Sequence, residues 1–443
     1  MMQDDSMARG AQAVPRGDAP LASLVHGLVR TTSYVNHNIA RHGMLVASIG
    51  AEIARQLGLS SAALESTMVA GMLHDLGALA HESEGEGSEH APSHEFGPFD
   101  FEASVNAHAE RGYVLLSAVA PLRRAAELVR HHHVSWLKGR GEVASGVPVD
   151  EGAHILHLAD TVAIRFNPHH RRLDNRERLH AFVRRLSDIS FVPAHVEAFL
   201  DASTNEAFWI DCVEGADAHV GAIGANLSTL SLDRDLTMSL AETFSRIIDL
   251  RSHYTAAHGV SVAIVAQHLG AVLRLSPNDC EDLWIAGCLH DLGKIAVPRA
   301  VLEKPGALDE YESRLVRSHA NLTRLVLLGV PGYERIGVWA AQHHERLDGR
   351  GYPFGLKARD LGLESRILAV SDVYAALVEN RPYRPGMDRE RALGVIASMV
   401  TDGALDPDVT ALLMSEVETV ETILASAQCG SLTGSLNRTI ARG

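Results

Sequence analysis

No stretch of this 443-residue sequence sustains an apolar run of about 18 residues, so no segment reads as a membrane-spanning helix. Residues 1–20, MMQDDSMARGAQAVPRGDAP, lack an apolar signal core and read as a flexible leader. Cysteine is rare. Cys212, Cys280, Cys288 and Cys429 show no CxxC spacing and read as small buried hydrophobes or surface thiols in a reducing cytoplasm. Basic charge is in deficit, with 40 Lys and Arg against 55 Asp and Glu and a formal net charge of −15. That balance argues against binding nucleic-acid polymers, although a local basic cluster can still hold a small anion. Strand-like patterns are scarce. The chain is nonetheless too long for one ordinary core, and two domains of about 200 residues each are expected.

What the sequence has in plenty is histidine, 25 residues of it. Unpaired buried imidazoles are destabilising, so metal coordination is the economical explanation. The stretch HHERLDGRGYP (343–353) joins the pair His343-His344 to a Gly-rich, Tyr-capped loop that reads as a rigid turn able to hold a ligand beside a metal. Isolated histidines such as His219, His253 and His268 read as structural.

The chain repeats itself. His258 and the pair His290-Asp291 are separated by 32 residues, as are His42 and His74-Asp75. His319 precedes His343-His344 by 24 residues, as His108 precedes His132-His133. Asp372 lies 28 residues beyond His344, and Asp160 lies 27 beyond His133. Only the middle gap differs by more than one residue, 29 against 34. The flanks keep register: RHGMLVA (41–47) answers AHGVSVA (257–263), GMLHDLG (71–77) answers GCLHDLG (287–293), and Ser60 answers Ser276. The period is too long for a solenoid repeat and marks a duplicated domain.

Both copies read as helical, giving an all-α chain of two tandem bundles. Apolar spacing predicts helices over 256–274, from Ser276-Pro277 through His290, and over 309–328, 333–345, 364–380 and 388–402. Lys304-Pro305-Gly306 predicts a turn. The expected organisation is a leader at 1–20, a first domain at 21–225, a second at 226–428 and a flexible tail at 429–443.

In the second copy, His258, His290, Asp291, His319, His343, His344 and Asp372 can converge inside a bundle, where dinuclear sites are commonly built. Asp291 suits a bridging position. An imidazole–carboxylate shell accepts Fe, Mn, Zn or Ni, and residue type alone does not choose. Two ions about 3.5–4 Å apart generate hydroxide near neutral pH and clamp the oxygens of an in-line displacement, which points to phosphoester hydrolysis. Lys294, Lys304, Arg346, Arg350, Arg381 and Arg384 are candidate phosphate partners, Lys294 standing one turn beyond Asp291.

On His290-Asp291-Leu-Gly-Lys294, LEKPGAL (302–308), His319, HHERLDGRGYP, RILAVSDVYAAL (366–377) and RPYRP (381–385), residues 249–428 resemble an HD-GYP domain of the HD phosphohydrolase superfamily. The resemblance implies an all-α bundle with two metal ions, Fe or Mn foremost, and hydrolysis of cyclic di-GMP to linear pGpG and, after a second cut, GMP. It also implies that Asp291 and Lys294 serve the chemistry, with Lys294 steadying a phosphate. The loop of Gly351, Tyr352 and Pro353, with Arg381 and Arg384, would hold the dinucleotide. Three departures stand out. Tyr254 replaces a Glu with which some members bind a third metal, Ala375 replaces a frequent Asp, and Leu347 replaces a frequent Trp.

The first copy keeps all seven ligand types, in His42, His74, Asp75, His108, His132, His133 and Asp160, and so resembles an HD domain that could hold metal. It has Ala78 in the place of Lys294, no Gly-Tyr-Pro in HHHVSWLKGRGEV (131–143), and an acidic stretch HESEGEGSEHAPSHEF (81–96) that would repel a polyanionic dinucleotide. It reads as a retained fold that packs against or regulates the second copy. A second phosphohydrolase and a metal- or ligand-sensing module are the alternatives. Such a tandem also resembles enzymes that prefer 3′,3′-cyclic GMP-AMP, the leading substrate alternative. Against the phosphodiesterase stand a non-catalytic scaffold for a cyclic dinucleotide or protein partners and a general nucleotide or phosphomonoester hydrolase, which the Gly-Tyr-Pro loop disfavours. The bundle faces could support a homodimer or a signalling partner, and a cytoplasmic location is expected.

Overall fold

Each half of the chain is built on helices pressed together through glycine. The computed structural model describes residues 37–77, 98–117, 119–144, 146–166, 174–213, 234–251, 257–328, 330, 332–379 and 385–430. The first half comprises α1 (His37–Gln56), α2 (Ser61–Leu73), α3 (Pro98–Ser117), α4 (Arg123–His131), α5 (Glu151–Arg165), α6 (Asp174–Arg185), α7 (Pro193–Ala202) and α8 (Glu206–Val213). The second comprises α9 (Arg234–Arg251), α10 (His258–Val272), α11 (Pro277–Leu289), α12 (Arg299–Leu302), α13 (Glu310–Leu327), α14 (Glu334–Ala341), α15 (Leu363–Val378), α16 (Arg389–Thr401) and α17 (Pro407–Gly430). Among the described residues the only sheet is a two-stranded hairpin, β1 (Val143–Ala144) with β2 (Val147–Pro148). The fold is all-α, as the sequence predicts.

The duplication extends to the helix starts. Ser60 Oγ accepts from the Ala63 amide at 3.3 Å, and Ser276 Oγ accepts from the Asp279 amide at 3.1 Å, with Pro277 at the first helical position. A capping box opens α13: the Glu312 amide donates to Asp309, and the Asp309 amide donates back to Glu312, both at 2.8 Å. In each half the helix carrying the first ligand packs on the next helix and on the one carrying the last ligand, α1 on α2 and α5, α10 on α11 and α15. These contacts are close because glycine faces alanine. A Cβ on Gly71 would lie 2.7 Å from the Ala47 Cα, and one on Gly287 would lie 2.5 Å from the Ala263 Cα. Beyond α2 and α11 the chain turns under the next helix, where a Cβ on Gly77 would collide with the His108 carbonyl and one on Gly293 with the His319 carbonyl.

One expected helix is too long. Residues 333–345 are helical only over Glu334–Ala341. The chain leaves the helix at Gln342, His343 bonds back to the last turn, and Glu345 swings inward to 3% exposure. The leader, the 225–226 boundary, residues 431–443, Tyr254, Arg381 and Arg384 lie outside the described residues. No helix among the described residues is long and apolar enough to cross a membrane.

Gly293→Ala is expected to lower stability by about 2 kcal/mol or more, because backbone cannot yield to the new methyl. Gly394→Ala, in α16 with open space at its Cβ position, is expected to be neutral or to add about 0.5–1 kcal/mol. Urea unfolding followed by circular dichroism measures both. Equal midpoints for the two variants would contradict the packing argument.

Candidate metal centre

The imidazoles are aimed by the backbone. His290, the C-cap of α11, gives its Nδ1–H to the Gly287 carbonyl at 2.7 Å. His319 does the same to Val316 and His343 to Ala340, both at 2.6 Å. Each ring is thereby fixed as the tautomer whose Nε2 is bare and turned toward the bundle interior. His258 is oriented differently. Its Nδ1 lies 2.9 Å from Glu379 Oε2 and its Nε2 lies 3.2 Å from Asp372 Oδ1.

The seven predicted donors come together. Asp291 Oδ2 is 3.2 Å from His290 Nε2, while Oδ1 is 3.3 Å from His319 Nε2 and 3.9 Å from His343 Nε2. Asp372 Oδ1 is 3.7 Å from His290 Nε2, and Oδ2 is 3.8 Å from His344 Nδ1. Three overlapping groups have all their donor atoms within 4.8 Å of one another: His258, His290 and Asp372; His290, Asp291 and His343; His319, His343 and His344. His290 Nε2 and Asp291 Oδ1 are buried and make no hydrogen bond. Buried polar atoms are costly when unpaired, so this donor set fits divalent ions, with Asp291 facing two groups of imidazoles at once.

Charge follows the same division. Burial opposes protonation of His258, yet Asp372 and Glu379 hold it well above the usual histidine range. Burial pushes His319 down to about 3 and His344 to about 4, and takes His343 well below its ordinary value. Burial works against ionisation of Asp291, but His290 and Lys294 hold it well below the usual carboxylate range.

The rim is set by a buried carboxylate that sequence reasoning missed. Glu345 accepts from the amides of Phe354 at 2.7 Å, Gly355 at 3.2 Å and Leu356 at 2.9 Å, and so arches the loop over the site. Gly351 sits against the Glu345–Arg346 backbone, where a side chain would clash. Tyr352, followed by Pro353, donates its amide to the His344 carbonyl at 3.2 Å and lays its ring 4.7 Å from the His344 ring. Lys294 Nζ is 2.6 Å from Asp291 Oδ2, beside the donors as predicted. Arg346, a candidate phosphate partner, pairs with Asp348 at 2.7 Å beside the loop. Arg317, not singled out from the sequence, lies 5.3 Å from the centre of the Tyr352 ring. Ala375 is fully buried on α15, and Glu379, whose amide bonds the Ala375 carbonyl, supplies the carboxylate that orients His258.

The first copy builds a matching cluster. His74 Nδ1 donates to the Gly71 carbonyl at 2.8 Å and His132 Nδ1 to Val129 at 2.6 Å. His42 Nε2 is 2.9 Å from Asp160 Oδ1, and Asp75 is 3.2 Å from His74 Nε2 and 3.5 Å from His108 Nε2. His133 Nε2 faces His108 Nε2 at 3.2 Å. All seven expected residues are brought together here too.

The HD-domain family profile matches residues 242–409 and, separately, residues 39–164. A Vibrio cholerae protein named 3′3′-cGAMP-specific phosphodiesterase 1 is 32% identical over 313 residues, 68% of this chain and 72% of its own. A cyclic di-GMP phosphodiesterase of Pseudomonas aeruginosa is 39% identical over 157 residues, 35% of this chain and 37% of its own. The crystal structure of a cyclic GMP-AMP-specific phosphodiesterase of Vibrio cholerae shares the fold over 91% of this chain and 98% of its own, with a TM-score of 0.62 at 23% identity.

Glu379→Gln is expected to weaken metal binding about 10- to 100-fold, because His258 loses the partner that orients it. Competition of Mn(II) against a chelating indicator reads the affinity. An unchanged affinity would show that Glu379 is structural only.

Proposed function

The chain belongs to the HD-domain phosphohydrolases, of the HD-GYP type, and from that premise we propose that it is a metal-dependent phosphodiesterase cutting cyclic di-GMP to linear pGpG. The observation that carries the reading is the convergence of seven donors beside Lys294 and under the Tyr352 loop. The donor set suits Fe or Mn, which when bound would supply Lewis acidity and water activation.

The chain's own groups do the rest. Asp291 turns its two oxygens toward different imidazoles and so orients both sides of the centre. Lys294 shares that carboxylate and is placed to hold a phosphate oxygen as negative charge grows on it. Tyr352, with Arg317 over its ring, offers a base a flat apolar face next to a cation. Arg381 and Arg384 are assigned to the dinucleotide on their motif alone.

A second substrate reading, 3′,3′-cyclic GMP-AMP, is favoured by one observation. The relative matched along 72% of its own length bears that specificity in its name. Hydrolysis of both dinucleotides by full-length protein, loaded anaerobically with Fe(II) or Mn(II), decides between them by the ratio of kcat/KM. Asp291→Ala is expected to abolish turnover. Lys294→Ala is expected to retain metal and lose about 100- to 1,000-fold in kcat. Tight binding of either dinucleotide without turnover under any metal would replace the enzyme by a binding scaffold.

A further inference from the structure

The substrate loop is held at both ends by an ion pair that stands apart from the donor set. Arg366 lies near the start of α15, six residues before Asp372, and Asp406 immediately precedes α17. Arg366 Nη1 donates to Asp406 Oδ2 at 2.9 Å, Nε donates to the Leu361 carbonyl at 3.0 Å, and Nη2 donates to the Ala358 carbonyl. The other Asp406 oxygen accepts from the amides of Asp408 at 2.9 Å and Val409 at 3.0 Å. One guanidinium thereby joins three segments: α15, the far end of the loop and the start of α17. The near end of the loop is fastened to the same place. The amides of Leu347 and Asp348 bond the Ala404 and Gly403 carbonyls at 3.1 and 2.9 Å, and the Ala358 amide bonds the Leu347 carbonyl at 3.1 Å. Arg366, Asp406 and Glu345 all line one cavity of about 10 Å³, so the three charged side chains hold the loop from a shared pocket.

The first copy has none of the three. His154 stands six residues before Asp160 on α5, as Arg366 stands six before Asp372 on α15, and its ring lies edge-on to Trp136 at 5.6 Å. Helices α7 and α17 both begin with proline and both pack on the helix carrying the first ligand. The residue before that proline is Val192 in one and Asp406 in the other. Val134 takes the place of Glu345. The segment after the paired histidines is fastened elsewhere, with the amides of Trp136, Leu137 and Lys138 bonded to the Ser190, Ile189 and Asp188 carbonyls at 3.0, 2.7 and 3.0 Å. The donors are shared by both copies, whereas these three residues differ together with the loop. They therefore belong to the loop and not to the common skeleton.

We infer that Arg366 is a positioning residue for the dinucleotide: paired with Asp406, it clamps the Tyr352 loop to the helix that carries Asp372. The inference rests on the phosphodiesterase reading above and deepens it. Between Glu345 and Leu361 the chain makes only a short 3₁₀ turn, Ala358–Asp360, so little regular structure orders the loop from within. A ligand that had to order such a loop on binding would lose affinity in doing so. The clamp does that ordering beforehand and leaves Tyr352 beside His344. Lysine cannot replace it, because only the planar guanidinium donates to Asp406, Leu361 and Ala358 in three directions at once. Its loss is therefore felt by a ligand that reaches the loop, and little by one that reaches only the donors.

The test compares full-length wild type, Arg366→Lys and Asp406→Asn, each loaded with Mn(II). Asparagine keeps an oxygen for the Asp408 and Val409 amides but offers Arg366 no charge. The substrates are whichever cyclic dinucleotide the wild type cuts faster, and bis(p-nitrophenyl) phosphate, a small diester that meets the donors without the loop. Each variant is expected to raise KM for the dinucleotide at least about 10-fold with kcat within about 3-fold, and to keep kcat/KM for the small diester within about 2-fold. Hydrogen–deuterium exchange of the metal-free protein gives a readout independent of turnover. Amides of 352–361 are expected to exchange faster in both variants, while α10 and α11 keep their wild-type protection. Unchanged exchange at 352–361 overturns the clamp. An equal fall on both substrates, with exchange raised across the C-terminal copy, overturns the positioning role in favour of general stability. Wild type that hydrolyses neither diester refutes the phosphodiesterase, and exchange then decides the clamp by itself. Should Arg366→Lys misfold by circular dichroism, Asp406→Asn carries the same test.

Discussion

The structure depends on one hydrogen bond made again and again: an imidazole Nδ1–H given to the carbonyl three residues earlier. His74, His132, His290, His319 and His343 all make it. Four of them stand at or just past the end of a helix, where the last carbonyls have no amide partner of their own. The same bond therefore closes the helix and turns Nε2 inward as a bare donor. It also brings the negative end of the helix to the place where a cation would sit. The sequence His-Asp-Leu-Gly then does three things in four residues. The histidine caps, the aspartate enters the site, and the glycine lets the chain pass under the next helix against the carbonyl of the third histidine.

That arrangement explains why duplication kept the skeleton and varied the rim. Moving a donor means moving a helix end, which disturbs capping, glycine packing and the buried core together. Changing the rim costs little. Lys294 against Ala78, Glu345 against Val134, Leu322 against Arg111 and Ala369 against His157 all alter what surrounds the donors without touching how they are aimed. His157 is an instance: its Nδ1 bonds the His132 carbonyl at 3.1 Å, behind the donors, while Ala369 fills the matching place with a methyl.

The skeleton was therefore what the sequence made legible. Donors set at helix ends recur at fixed spacing, and a repeated 32-residue gap survives in the order of residues alone. Side chains that act across the fold left no such trace. Glu379 reaches His258 over 121 residues, and Glu345 looked like one more charged residue in a loop until its three amide donors were seen. The pairing of Arg346 was hidden for the opposite reason. Its partner Asp348 is only two residues away, but whether neighbouring charges pair or point apart depends on the backbone of the turn. The helix drawn through 333–345 overran because nothing in Gln342-His343-His344-Glu345 breaks a helix by composition, while the His343 cap and the inward turn of Glu345 end it.

A chain of net charge −15 appears ill suited to polyanionic ligands, and distance resolves the matter. Salt at physiological strength screens exposed charges beyond about 8 Å, so the overall charge weighs little inside a recessed site. Within that radius the local groups decide, and there burial reduces screening. Lys294 at 21% exposure stands beside Asp291, so the C-terminal centre carries its own positive charge at the point where a phosphate would meet it. The N-terminal copy has lost that lysine, and the acid-rich stretch after Asp75 adds negative charge to its sequence.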